Sequence, residues 1–194
     1  NSNHKNISNN TLDTYFTKVE PTEIGINFIQ KENSFDDFKI QLLLPQKQSE
    51  KSSPLSVGDV NNDGLDDFFV GNSKGNKAAL YLQQKNGKFI SSNEGLFEKE
   101  KKFEDSDSKF FDFDGDNDLD VVVTSYQADD LLWYSNDGSE NFTKYFIDND
   151  IDGITVARVG DLDGDGYIDV VANSKLDDDV MFYTRHIQVA VCAP

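Results

Sequence analysis

A nine-residue acidic pattern, D-x-[DN]-x-D-x-x-x-D, occurs three times in this chain and restricts its possible folds more than any other feature. Positions one, three, five and nine are Asp59, Asn61, Asp63 and Asp67, then Asp112, Asp114, Asp116 and Asp120, then Asp161, Asp163, Asp165 and Asp169. Around each start the chain keeps a common ruler. An apolar residue stands two positions before it (Val57, Phe110, Val159), and the runs FFV, VVV and VVA follow position nine. A tyrosine stands at one constant offset beyond each start (Tyr81, Tyr134, Tyr183), and Phe89, Phe142 or Val191 stands at a second constant offset. The starts recur roughly every 50 residues, and self-similarity at such a period marks a repeat architecture, in which a unit buries its faces only against its neighbours.

Each unit reads as a short strand, the acidic turn, a β-branched or aromatic strand, a second loop, a third strand (ALYLQ, LLWYS, VMFYT), a turn and a fourth strand. Four antiparallel strands in about 50 residues make one blade of a β-propeller. The expected fold is therefore all-β, a β-propeller-like array of about three four-stranded antiparallel blades, partial or open. Residues 1–18 read as a polar, disordered tail, and 19–53, with GINFI and IQLLLP, as an N-terminal strand segment. The blades are expected at 54–104, 105–153 and 154–194, the last truncated, since HIQVAVCAP fits the pattern only through Val191. FEKEKKF (97–103) reads as a charged loop between blades.

Carboxylates crowded into one turn repel one another wherever water does not screen them, so such a loop either stays loose in solvent or holds a cation. Calcium takes six to eight oxygens, and this loop offers side-chain oxygens at positions one, three and five, a carbonyl at seven and a carboxylate at nine. Position seven is Leu65, Asp118 or Tyr167, a variety that suits a site using only the carbonyl. Position six is Gly64, Asn117 or Gly166, residues that tolerate the left-handed backbone of a sharp turn. The expectation is up to three Ca2+ ions, weaker in the first loop, where Asn61 replaces an Asp. Magnesium, which keeps its waters, suits five protein oxygens less well. An EF-hand is excluded, because its position twelve would be Val70, Val123 or Ala172, inside apolar strand sequence.

The net charge of −18, from 36 acidic and 18 basic residues, argues against nucleic acid and anionic membrane surfaces as partners. No apolar run reaches the ~20 residues of a membrane span, and no signal-peptide pattern opens the chain. The single cysteine, Cys192, allows no intrachain disulfide. With histidine only at His4 and His186, no His-based catalytic set fits inside the repeats. A carboxylate pair for glycoside hydrolysis could still be drawn from the aspartates. The propeller domain of a secreted carbohydrate-active enzyme, or its accessory module, is thus the alternative to a non-enzymatic module. Trp133 could stack on a sugar, but its register with Leu80 and Phe182 favours a blade-to-blade contact.

Acidic loops of this form, feeding VVV-type strands at this spacing, resemble the FG-GAP repeats, also described as VCBS repeats, of integrin-α-like β-propellers. The resemblance covers roughly residues 54–191. The first unit, with LLLP (42–45), SVGDVNNDGLDDFFVG (56–71) and ALYLQQKNGKF (79–89), is similar to bacterial ASPIC/UnbV-type repeat proteins. The resemblance implies calcium at the loop between the first two strands of each blade. It also implies secretion or a cell-surface location, an adhesion or scaffolding role toward a protein or carbohydrate ligand, and no catalysis. Closed propellers of that family hold more blades than the three units found here, which leaves a fragment or an open array with exposed edges.

Overall fold

The computed structural model describes residues 16–31, 53–102, 104–126, 128–176 and 179–185. Its strands form three separate antiparallel meanders. The first contains β1 (Leu55–Gly58), β2 (Asp67–Val70), β3 (Ala79–Gln83) and β4 (Phe89–Ser92). The second contains β5 (Asp105–Phe111), β6 (Asp120–Ser125), β7 (Asp130–Asn136) and β8 (Phe142–Asp148). The third contains β9 (Ile154–Gly160), β10 (Asp169–Ser174) and β11 (Val180–Tyr183). The fourth strand expected around Val191 lies outside the described residues. β5 packs against both β1 and β9, so the first strand of each sheet neighbours the next. Among the described residues the fold is mostly β and propeller-like, with an open series of blades and no closed barrel.

The common ruler is a strand register. Phe68 pairs with Tyr81, Val121 with Tyr134 and Val170 with Tyr183, the same two positions in every blade. Gly58 pairs with Asp67, Phe111 with Asp120 and Gly160 with Asp169, so position nine opens each second strand opposite the last residue of the first. VVV in the middle blade is apolar without alternation because that blade is covered on both faces. Val121 and Val123 join Val60, Phe69, Leu80 and Leu82 of the first blade, while Val122 joins Ile154, Ala157 and Val170 of the third. Burying each such side chain contributes roughly 1.5–3 kcal/mol relative to exposure. Trp133, opposite Val122 and therefore on the same face, stacks on Tyr145 at 4.8 Å and tilts against Phe113 at 4.6 Å. Its counterpart Leu80 is fully buried, whereas Phe182, on the outer face of the third blade, is 50 % exposed.

Two segments differ from the sequence reading. The charged stretch expected as a loop carries α1 (Glu94–Glu100), whose Phe97 is buried between Phe69 of the first blade and Tyr134 of the second, at ring distances of 5.5 and 6.1 Å. Tertiary packing of one aromatic stabilises this two-turn helix, which is too short to persist alone. GINFI forms no strand. It follows a 3-10 turn (Pro21–Ile24) that ends at Gly25 in the left-handed region (φ 88°), and Asn27 N–H donates to the Tyr81 hydroxyl at 3.2 Å. IQLLLP and residues 1–15 lie outside the described residues.

Beside α1, Asp105 begins β5, and one of its carboxylate oxygens accepts the Asn72 N–H at 3.0 Å. Burial pushes its carboxyl up to about 7, against the lowering effect of that hydrogen bond, and the charges of Glu100 and Glu104 add to the rise. A raised acid binds its proton more tightly folded than unfolded, so its contribution to stability falls as pH rises from about 4 to about 7. Asp105→Asn is therefore expected to be more stable than the parent at pH 8, by ~1–3 kcal/mol, with the two converging near pH 4. Urea midpoints at both pH values measure this, and equal differences at the two would overturn it.

Candidate metal centres

The acidic loops connect β1 to β2, β5 to β6 and β9 to β10, and they share one backbone form. Position six is left-handed in all three, with φ of 84° at Gly64, 71° at Asn117 and 88° at Gly166. Position four is left-handed too, at Asn62, Gly115 and Gly164, with φ of 56°, 79° and 82°. Asn and Gly are the residues that enter this region at least cost.

Most of the hydrogen bonds repeat in the same register. At position one, Asp59, Asp112 and Asp161 each accept the position-six N–H, at 2.7, 3.1 and 3.1 Å. Their second oxygens accept from Asp63, Gly115 and Gly164 at 3.1, 2.7 and 2.7 Å. At position five, Asp63, Asp116 and Asp165 accept the position-seven N–H of Leu65, Asp118 and Tyr167, at 2.9, 3.0 and 2.9 Å. At position three, Asn61 and Asp163 accept the position-five N–H at 3.3 and 3.1 Å. Each loop is thus held in shape by its own side chains, as Asx turns are.

Carboxylates converge in two of the loops. Oxygens of Asp112, Asp114 and Asp116 lie within 4.8 Å of one another, as do oxygens of Asp161, Asp163 and Asp169. Asp114 Oδ1 is buried without a hydrogen-bond partner, and burial, with repulsion from Asp116 and Asp112, raises its carboxyl. Among the described residues, no three carboxylates of the first loop come this close. Contacts with the second blade draw that loop's amides aside: Asn61 Nδ2 donates to Glu140 at 3.0 Å and Asn62 Nδ2 to Asp118 at 2.6 Å.

Position nine does more than the sequence suggests. Asp67, Asp120 and Asp169 are fully buried, and each carboxylate accepts the position-two N–H: Val60 at 3.1 Å, Phe113 at 3.0 Å and Leu162 at 2.8 Å. The other oxygen accepts an N–H from the end of the third strand or just beyond it: Gln83 at 2.7 Å, Asn136 at 2.8 Å and Arg185 at 3.4 Å. Burial raises the carboxyls of Asp67 and Asp120, the latter to about 6, although these N–H bonds oppose the rise.

Residues 112–172, from position one of the second loop to the strand after the third, match the model of the FG-GAP-like repeat. These residues are FG-GAP-like repeat sequence. No curated protein matches the chain. The matched FG-GAP-like stretch contains both carboxylate clusters, and the first blade lies outside it.

Three contacts of position nine escape a sequence reading: Gln83, Asn136 and Arg185 each stand two positions past the tyrosine of their blade but share no residue type. Asn136 is buried, and its Nδ2 donates to the Val60 carbonyl of the first loop at 2.6 Å and to the Leu119 carbonyl of the second at 3.1 Å. Arg185 Nη2 donates to the Asp114 carbonyl, and its guanidinium lies over the rings of Tyr167 and Phe113 at 5.2 and 5.9 Å. Away from the loops, a cleft of about 350 Å3 lies between residues 25–31 and the first blade. Among the described residues that line it, the one carboxylate, Glu94, is paired with Lys77 at 2.7 Å. No helix among the described residues is long and apolar enough to cross a membrane.

Proposed function

We propose that this protein is a calcium-binding FG-GAP-like repeat module that acts, without catalysis, as a secreted or cell-surface interaction and adhesion scaffold. The observation that carries the reading is the convergence of Asp112, Asp114 and Asp116, and of Asp161, Asp163 and Asp169, inside preshaped turns. Three carboxylate oxygens at such separations repel strongly, and a divalent cation turns that repulsion into attraction. Asp118 and Tyr167 would add their carbonyls, and Asp120 and Asp165 the remaining carboxylates. The first loop, with Asp59, Asn61, Asp63, the Leu65 carbonyl and Asp67, would take a third ion more weakly, since its amides must first leave the second blade. Bound ions would tie the first strand of each blade to the second and stiffen an open array that presents its surface to a protein or carbohydrate ligand. The net charge of −18 is then largely a property of the sites.

Calorimetric titration of the metal-free protein with CaCl2 tests this. Two tighter sites and one weaker site are expected, with Asp114→Ala and Asp163→Ala each removing one of the tighter two. Heat unchanged by both substitutions would place any bound calcium elsewhere.

A further inference from the structure

Asn136 and Arg185 each touch two acidic loops belonging to successive blades. Resting on the cation reading above, we propose that these two residues are positioning residues that couple ion binding between neighbouring loops. Asn136 links the first loop to the second, and Arg185 links the second to the third.

Consider Val60, position two of the first loop. Its N–H is held by Asp67, position nine of the same loop, and its carbonyl by Asn136 of the next blade. The Asn136 backbone N–H is held in turn by Asp120, position nine of the second loop, and its side chain also holds Leu119, position eight. An unbroken hydrogen-bonded path therefore runs from one buried ligand position to the next, Asp67 to Val60 to Asn136 to Asp120. The contact between Asn62 and Asp118 runs parallel to it at the surface.

Arg185 repeats the arrangement one blade later with different chemistry. Its N–H meets Asp169 of the third loop, while its guanidinium holds the position-three carbonyl of the second. A buried amide left without its acceptor carries a penalty, so Asn136 can relax neither loop independently of the other. Ordering one loop around an ion removes part of the conformational freedom that its neighbour must lose, which is positive coupling and is reciprocal.

The amides of Gly64, Asn117 and Gly166, position six of each loop, report the three sites separately in a nuclear magnetic resonance titration with CaCl2. In the parent protein the first two loops are expected to fill with linked midpoints, with a coupling factor of about 5 or more. Asn136→Ala should unlink them and leave the Gly166 midpoint in place. Arg185→Ala should unlink the second and third loops and spare the first, and Arg185→Lys should restore part of the linkage.

Val123→Ala weakens the same blade interface without touching a loop, and it should preserve the linkage. In the metal-free protein, exchange of the Val60 amide should quicken at least ~5-fold in Asn136→Ala but not in Val123→Ala. Equal shifts at all three loops, or loss of linkage in Val123→Ala, would reduce Asn136 to a general stabiliser and overturn the coupling. Independent loops in the parent would overturn it as well. A parent with no calcium response would overturn the cation reading instead, and the metal-free exchange would then still decide whether Asn136 holds the first loop.

Discussion

Transfer from millimolar CaCl2 into excess EDTA is expected to lower the melting temperature of this protein by tens of degrees. Without ions, the carboxylates clustered at Asp112, Asp114 and Asp116 and at Asp161, Asp163 and Asp169 remain packed at short range. The unfolded chain separates them, so their repulsion disfavours the native state alone. A ligand that binds only the folded form stabilises it by about 2.7 kcal/mol per site when its free concentration is a hundredfold above Kd. Three sites would then contribute ~8 kcal/mol, and in a domain of this size each kcal/mol moves the midpoint by about 2–4 °C. Calorimetric melts at matched ionic strength separate this from general screening, because sodium weakens repulsion between exposed charges without occupying a site. Magnesium at the same concentration should recover only part of the loss, since it retains its waters where these loops offer protein oxygens. Identical melts in calcium and EDTA would remove the basis for reading the clusters as metal centres.

Much of the fold was legible because the information lay in fixed offsets. The apolar residue before each loop, the run after position nine and the tyrosine at its constant distance are the residues that pair across the first three strands of every blade. The left-handed turn at position six was legible from its residue types, and position four, with Asn62, Gly115 and Gly164, carried the same signal. The rest depended on partners distant in sequence. Helix α1 exists because Phe97 finds Phe69 and Tyr134, and a two-turn segment has too little periodicity to announce that. The first loop has an almost regular acidic pattern, yet Glu140 and Asp118 of the next blade redirect its amides. At Gln83, Asn136 and Arg185 the constant element is a backbone N–H bonded to position nine, which leaves no common letter in the sequence. Position nine itself looks like any other aspartate of the loop until its burial is seen.

That burial separates two roles within one loop, and Asp120→Ala is expected to show it in the absence of metal. Asp120 is fully buried, and its two oxygens accept the N–H groups of Phe113 and Asn136. Removing the carboxylate leaves both donors unpaired, at ~1–3 kcal/mol each when buried. Relief from holding a charge in a dry site, the cause of its raised carboxyl, offsets part of this. A net loss of about 2–4 kcal/mol in EDTA at pH 7 follows, read from urea midpoints. Asp120→Asn, which retains one acceptor oxygen, should lose less. Asp116→Ala provides the contrast: its side chain is exposed and accepts the Asp118 N–H within the same turn. It should lower metal-free stability by no more than ~0.5 kcal/mol, since relief of its repulsion with Asp112 and Asp114 opposes the loss of that turn bond, while abolishing the calcium response of the second loop. If the two alanine variants were equally stable in EDTA, position nine would be a ligand and nothing more. The opposite pattern would mean that the aspartate most deeply placed in each loop shapes the turn before any ion arrives, and that the exposed aspartates supply the response to it.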